Sequence, residues 1–116
     1  MSTPTDIKLR RAENLLEVSF TDGAVFGLTA EYLRTQSPSA EVQGHGPGEG
    51  VLVFGKKNVG ITGIVPTGNY AVRLVFSDGH DTGIFTWDYL YALGQEFSVR
   101  WPDYLQKLEA AGRRRE

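Results

Sequence analysis

The sequence predicts an α+β fold: a mostly antiparallel β-sheet built from two strand–turn–strand–helix repeats, with C-terminal helices packed on it. Three observations predict it. The first is internal repetition. Leu16-Glu-Val-Ser-Phe20-Thr-Asp22-Gly23 is matched by Val72-Arg-Leu-Val-Phe76-Ser-Asp78-Gly79. Gly27 then matches Gly83 and, with one extra residue in the second copy, Thr29-Ala-Glu-Tyr32-Leu33 matches Thr86-Trp-Asp-Tyr89-Leu90. The second is that each copy runs a period-two strand into Asp-Gly, the strongest short signal for a two-residue hairpin turn with positive φ. The third is that Thr29 and Thr86 stand where a hydroxyl caps a helix, with Glu31 and Asp88 in the first turn, where the helix dipole favours negative charge.

The elements follow in order. A first strand is expected at Ile7–Arg10. Leu16, Val18 and Phe20 share one face of the next strand, and Glu17 and Ser19 the other. Thr35 to Gly50 holds two prolines, four glycines and one large aliphatic residue, Val42, and reads as a long loop, which in a compact domain is often functional. Val51–Phe54 and Ile61–Val65 read as strands, with turns at Gly55–Asn58 and Pro66–Asn69. In the second copy Val72, Leu74 and Phe76 share one face while Ala71, Arg73 and Val75 make the other, so this strand is expected to be the more central. Tyr89, Leu90 and Leu93 form a short amphipathic helix stopped by Gly94. Pro102 suits a first helical position, Tyr104, Leu105 and Leu108 form an apolar stripe, and Gly112 ends that helix. Arg113, Arg114 and Arg115 read either as a solvated, frayed tail or as a contact with an acidic partner.

Composition bounds the function. The 116 residues make a single domain, 1–116, of 41% hydrophobic and 22% charged residues. The formal charge of −2 excludes a large basic footprint, so no nucleic acid is expected as a partner. No cysteine is present, which excludes a disulfide framework, a thiolate metal site and a cysteine nucleophile. The longest apolar stretch, Tyr89 to Leu93, is far short of the ~20 residues that cross a bilayer. The polar Met1–Asp6 start resembles no targeting signal, so a cytoplasmic protein without membrane partners is expected.

Chemical motifs are sparse. Gly50-Val-Leu-Val-Phe-Gly55-Lys56-Lys57 approaches a phosphate-binding loop, but Lys57 stands where Ser or Thr would meet magnesium, and the intervening residues are strand-formers. Gly44-His45-Gly46-Pro47-Gly48 lacks the dinucleotide spacing, and Pro47 removes an amide that an anion nest would use. His45 and His80 are the two histidines. Asp78 and Asp81 flank His80, which permits a carboxylate-assisted metal site, although Asp78-Gly79 is explained by the hairpin turn. Ser37, Ser39 and Ser98 have no evident His–Asp network. Trp87, Tyr89 and Trp101 read as core or half-buried anchors, or as an aromatic patch for a partner.

Two longer stretches carry a family resemblance. Gly68-Asn-Tyr-Ala-Val-Arg-Leu-Val-Phe-Ser-Asp-Gly-His80-Asp-Thr-Gly-Ile-Phe-Thr-Trp-Asp-Tyr-Leu90 is one, and Ser37-Pro-Ser-Ala-Glu-Val-Gln-Gly-His-Gly-Pro-Gly48 is the other. With Phe20-Thr-Asp-Gly and Tyr32-Leu-Arg34, the chain resembles the DUF971 family over about residues 5–110. That domain also stands at the N-terminus of gamma-butyrobetaine hydroxylase, where it precedes an iron- and 2-oxoglutarate-dependent catalytic domain and holds zinc through a Cys-x-Cys-x-x-Cys run and a later His. Those positions are Ser37, Ser39, Val42 and His80 here, so no zinc and no other cofactor is expected. The domain also accompanies Mrp-type ATPases that handle iron–sulfur clusters. The resemblance thus implies a non-catalytic accessory or protein-interaction domain linked to iron–sulfur or metalloprotein handling. Its expected interaction surface is Arg34, Ser37, Glu41, His45, His80 and Trp87. The alternative is a metal-binding protein using His80 and His45 with nearby carboxylates.

Overall fold

The computed structural model describes residues 2–39 and 52–116. The α+β expectation holds, and the strands divide into two three-stranded antiparallel sheets. The first is β1 (Pro4–Arg10), β2 (Leu15–Phe20) and β3 (Val25–Thr29), followed by α1 (Ala30–Thr35). The second is β4 (Ile61–Thr67), β5 (Ala71–Phe76) and β6 (Ile84–Thr86), followed by α2 (Trp87–Gln95) and α3 (Phe97–Ala110). Each copy therefore has one strand more than the sequence repeat revealed. β1 and β4 even carry the same register shift, Pro4/Asp6 opposite Phe20 and Ser19, Ile61/Gly63 opposite Phe76 and Val75.

Both hairpins turn over three residues, where a two-residue turn was expected. Gly23 N–H donates to Phe20 O (3.0 Å) and Phe20 N–H to Ala24 O (2.8 Å); Gly79 donates to Phe76 O (3.0 Å) and Phe76 to His80 O (2.9 Å). Only the glycine has positive φ, +90° at Gly23 and +91° at Gly79. This is a type I turn closed by a left-handed glycine bulge, and the aspartates keep ordinary φ.

The cores of the two copies merge. Leu16, Val18 and Phe20 face inward from β2, and Val72, Leu74 and Phe76 from β5, which is central in its sheet as expected. Thr29 Oγ1 accepts from Tyr32 N–H and Thr86 Oγ1 from Tyr89 N–H, both at 3.1 Å, so both expected caps form. The helices then cross over. Tyr32 O–H donates to Leu93 O in α2 (2.7 Å), and Tyr89 O–H donates to Gln36 O at the end of α1 (2.5 Å). Burial, with Tyr89 and Glu96 nearby, pushes the Tyr32 phenol up to about 12 against the pull of Arg100.

Several boundaries differ from expectation. Residues 52–54 are irregular, so the strand expected at Val51–Phe54 is absent among the described residues. Pro66 and Thr67 belong to β4, a sheet edge that tolerates a missing N–H. Gly94 lies inside α2, where it allows contact with Phe26; a Cβ there would stand 2.2 Å from that ring. Pro102 lies inside α3, because Phe97 and Trp101 already pack as edge-to-face partners of Tyr32 (4.9 and 6.0 Å) and extend the helix N-terminally past it. Tyr104 and Leu108 are buried, but Leu105 is exposed. Gly112 (φ +67°) ends α3 as expected, with Gly112 N–H on Glu109 O and Arg113 N–H on Leu108 O. The arginine tail does not fray. Gly55 and Lys57 N–H bond Arg114 and Arg115 O, and Arg115 grips the buried Glu31 carboxylate through two nitrogens (2.9 and 2.7 Å).

Replacing Gly23 or Gly79 with valine is expected to destabilise the protein by about 1 kcal/mol or more, since a β-branched side chain opposes positive φ. Urea unfolding of each variant measures it, and no change for both would contradict these turns.

Candidate functional site

The crossed helices place each helix against the other copy's Asp-Gly hairpin, and the two placements differ. In the first copy Tyr91 O–H, from α2, donates to Asp22 (2.5 Å). Phe20, Phe26 and Tyr91 then form an edge-to-face trio with centroids 5.0 to 6.0 Å apart. In the second copy the twin of Tyr91 is Arg34, which binds Asp78 (Nε to Oδ2, 2.8 Å). Backbone pairing sets Ile84 opposite Arg73 and Gly27 opposite Glu17. The twin of Gly27 is therefore Ile84, and Gly83 is the twin of Phe26. The match of Gly27 to Gly83 is corrected: the turns are equal in length, and the extra residue lies between His80 and Gly83.

The missing aromatic at Gly83 leaves room that Ser37 and His80 occupy. A Cβ at position 83 would stand 2.3 Å from Ser37 Oγ. Ser37 is fully buried and His80 nearly so, and Ser37 Oγ lies 2.9 Å from His80 Nε2. The His80 ring packs 6.0 Å from Phe76. His80 takes the place of Ala24, so the hairpin itself does not require an imidazole.

Beside this pair lies a compact charge cluster. Lys56 Nζ meets the same Asp78 Oδ2 (2.6 Å) that Arg34 holds, and Asp78 Oδ1 accepts the His80 backbone N–H (3.1 Å). Burial pushes the Asp78 carboxyl up, but the hydrogen bonds from Lys56, the His80 amide and Arg34 outweigh it and hold it well below the usual carboxylate range. Arg34 Nη1 and Ser39 Oγ are buried without a hydrogen-bond partner among the described residues.

The structure thus brings Ser37, Arg34 and His80 to one place. Trp87 is held at the opposite end of the β5–β6 hairpin, its indole N–H on Asn69 O (2.9 Å). Glu41, Val42 and His45 lie outside the described residues, as does any distance from His45 to His80. The sequence missed Lys56 and the second role of Asp78, which the turn alone had explained. One signal existed: Arg34 and Tyr91 occupy twin positions, and each side chain can donate to the aspartate of an Asp-Gly turn.

Zinc, which the family resemblance implies, does not fit the described residues. Ser37 and Ser39 offer neutral hydroxyls, Ser37 Oγ already engages His80 Nε2, and no group of three or more His, Cys, Asp or Glu suited to a metal occurs among the described residues. The Ser37–His80 contact also resembles a nucleophile with its base. However, Ser37 has no exposed surface, and the described bonds of Asp78 run to Arg34, Lys56 and a backbone amide.

Comparison with known proteins places these features. The family model for gamma-butyrobetaine hydroxylase-like N-terminal domains matches residues 7–91. Two structures solved by NMR in solution share 48% and 51% identity with this chain, each with a TM-score of 0.86. Each alignment covers all of this chain, and 91% and 86% of the other. A crystal structure from Acidithiobacillus ferrooxidans, described as a protein of unknown function in the DUF971 family, shares 41% identity. It covers 79% of this chain and 92% of its own, with a TM-score of 0.67. No curated protein matches.

The lowered pKa of Asp78 predicts an acid-sensitive fold. Its contribution to stability is complete above the ordinary Asp value of ~3.9 and is lost as pH falls below it, because the unfolded chain then binds the proton first. Urea unfolding at several pH values below ~4.5 should show a stability loss that is smaller in Asp78→Asn. Equal slopes in both proteins would show that Asp78 is not held in this way.

Proposed function

The chain belongs to the family of gamma-butyrobetaine hydroxylase-like N-terminal domains, also described as DUF971, and from that premise we propose that it is a non-catalytic accessory module. It binds a protein partner that carries or assembles iron–sulfur or other metal centres. One observation carries the reading: the buried Ser37–His80 contact, 2.9 Å long, fixes the start of the Gly-rich stretch to a rigid hairpin. Recognition residues commonly sit on loops that a scaffold holds this way. Ser37, His80, Arg34 and Asp78 are the anchor in this reading. Glu41 and His45, further along the same stretch, are the recognition residues.

Burial of Ser37 supports a role in support over a role in chemistry, since a nucleophile must meet its substrate. The engagement of His80 Nε2 by Ser37 likewise competes with a metal at that nitrogen. No described helix is long and apolar enough to cross a membrane. The finer assignment to metal-centre handling rests on the domain's association with cluster-handling ATPases.

The test uses the paired substitution Glu41→Ala with His45→Ala, set against His80→Ala. The pair is expected to keep the melting temperature and lose captured partners from a cell extract. His80→Ala is expected to lower stability by about 1–3 kcal/mol, as removal of one member of a buried polar pair does. Undiminished capture by the Glu41/His45 variant would overturn the reading. Elemental analysis of the purified protein is expected to find zinc well below one per chain, and stoichiometric zinc would favour the metal-binding alternative.

A further inference from the structure

The internal duplication provides a control for the outer surface of the second sheet. Its middle row crosses the strands as Val65, Arg73 and Ile84. The twin row of the first sheet is Lys8, Glu17 and Gly27, with Lys8 paired to Asp6 and Glu17 to Arg10. In this row the same backbone therefore accepts charged, solvated side chains, so the fold does not demand apolar ones there, although Val25 near the turn of the first sheet is itself 59% exposed. Yet Val65 and Ile84 remain 38% and 41% exposed, half-buried Val75 lies beside them, and Tyr70 at the β4–β5 turn is 53% exposed. Exposed valine and isoleucine on either side of one arginine, with an exposed tyrosine at the end of the same hairpin, suit an interface centre.

We propose that this face docks a second copy of the chain about a two-fold axis. The charges on it are self-complementary. Arg73 Nη1 donates to the Asp81 backbone carbonyl (3.1 Å) and meets the Asp81 carboxylate only at 3.6 Å, and both side chains are partly exposed, so in a two-fold contact each Arg73 can take the other copy's Asp81 carboxylate. The net charge of −2 opposes association weakly. Edge-to-edge pairing is disfavoured, because the β4 edge carries Pro66 and a register shift and the β6 edge is only three residues long, which directs association to the face. Three strands about 4.8 Å apart and about five residues long give a face on the order of 250 Å². That is well below the ~800 Å² per partner of a standard interface, so the dimer is weak and depends on concentration. The inference is independent of the accessory reading, which rests on the Ser37–His80 contact and not on Arg73, Val65 or Ile84.

Sedimentation and amide chemical shifts, followed from micromolar to millimolar protein, test it. The average mass is expected to rise towards a dimer, with shift changes confined to β4–β6 and the adjoining turns. R73E makes the face wholly acidic and D81R makes it wholly basic, so each alone is expected to stay monomeric. An equimolar mixture of the two should associate again, as should the double variant R73E/D81R. Val65→Thr, nearly the same size, should weaken the wild-type dimer several-fold without altering the fold. A wild-type protein that stays monomeric throughout would overturn the proposal, and so would R73E and D81R failing to associate when mixed.

Discussion

Tyr32 and Tyr89 each donate a phenolic hydrogen bond to a carbonyl at the C-terminal end of the other's helix. Those carbonyls lack partners within a helix end, so the two bonds satisfy groups that burial would otherwise penalise by about 1–3 kcal/mol each. The exchange fixes which helix lies on which sheet. α1 must reach the second hairpin and α2 the first, which is how Arg34 comes to Asp78 and Tyr91 to Asp22. A single core then forms from both copies, and neither three-stranded sheet has to bury its apolar face alone.

The candidate site lies where this two-fold arrangement fails. Phe26 fills the first half and meets Gly94, whose missing Cβ gives the ring its space. In the second half the glycine and the bulk change places. Gly83 stands for Phe26, and Ser37 stands for Gly94. A small residue facing a large one becomes a small residue facing a polar pair. The resulting imidazole–hydroxyl contact is buried, and buried polar contacts specify a unique arrangement more than they add net stability.

Much of this was legible in the chain. The repeat, both threonine caps, the inward faces of β2 and β5 and the glycine stop after α3 are local features, each set by residue type and spacing. β1 and β4 were expected too, at Ile7–Arg10 and Ile61–Val65, but their outer ends were harder to read, because Pro4 and Pro66 lie in them and the register shifts interrupt the alternation. Leu52–Phe54 looked like part of a strand by composition, but Tyr104 O–H on Val53 O and Arg113 over Phe54 hold that stretch against α3 and the tail, outside any described sheet. Within the site, the resemblance singled out Ser37 and His80. Lys56 was invisible, because it meets Asp78 from a stretch that the C-terminal tail holds through Gly55 and Lys57, a long-range pairing that no local pattern encodes.

The account makes Ser37 and His80 one unit that secures the stretch after α1. A double-mutant cycle of Ser37→Ala and His80→Ala tests that most directly, the second change restoring the residue that the first copy carries as Ala24. The prediction is a coupling free energy of about 1 kcal/mol or more in urea unfolding, with the double variant less destabilised than the sum of the single ones. Additivity within about 0.5 kcal/mol would contradict it, because the two side chains would then stabilise the protein independently.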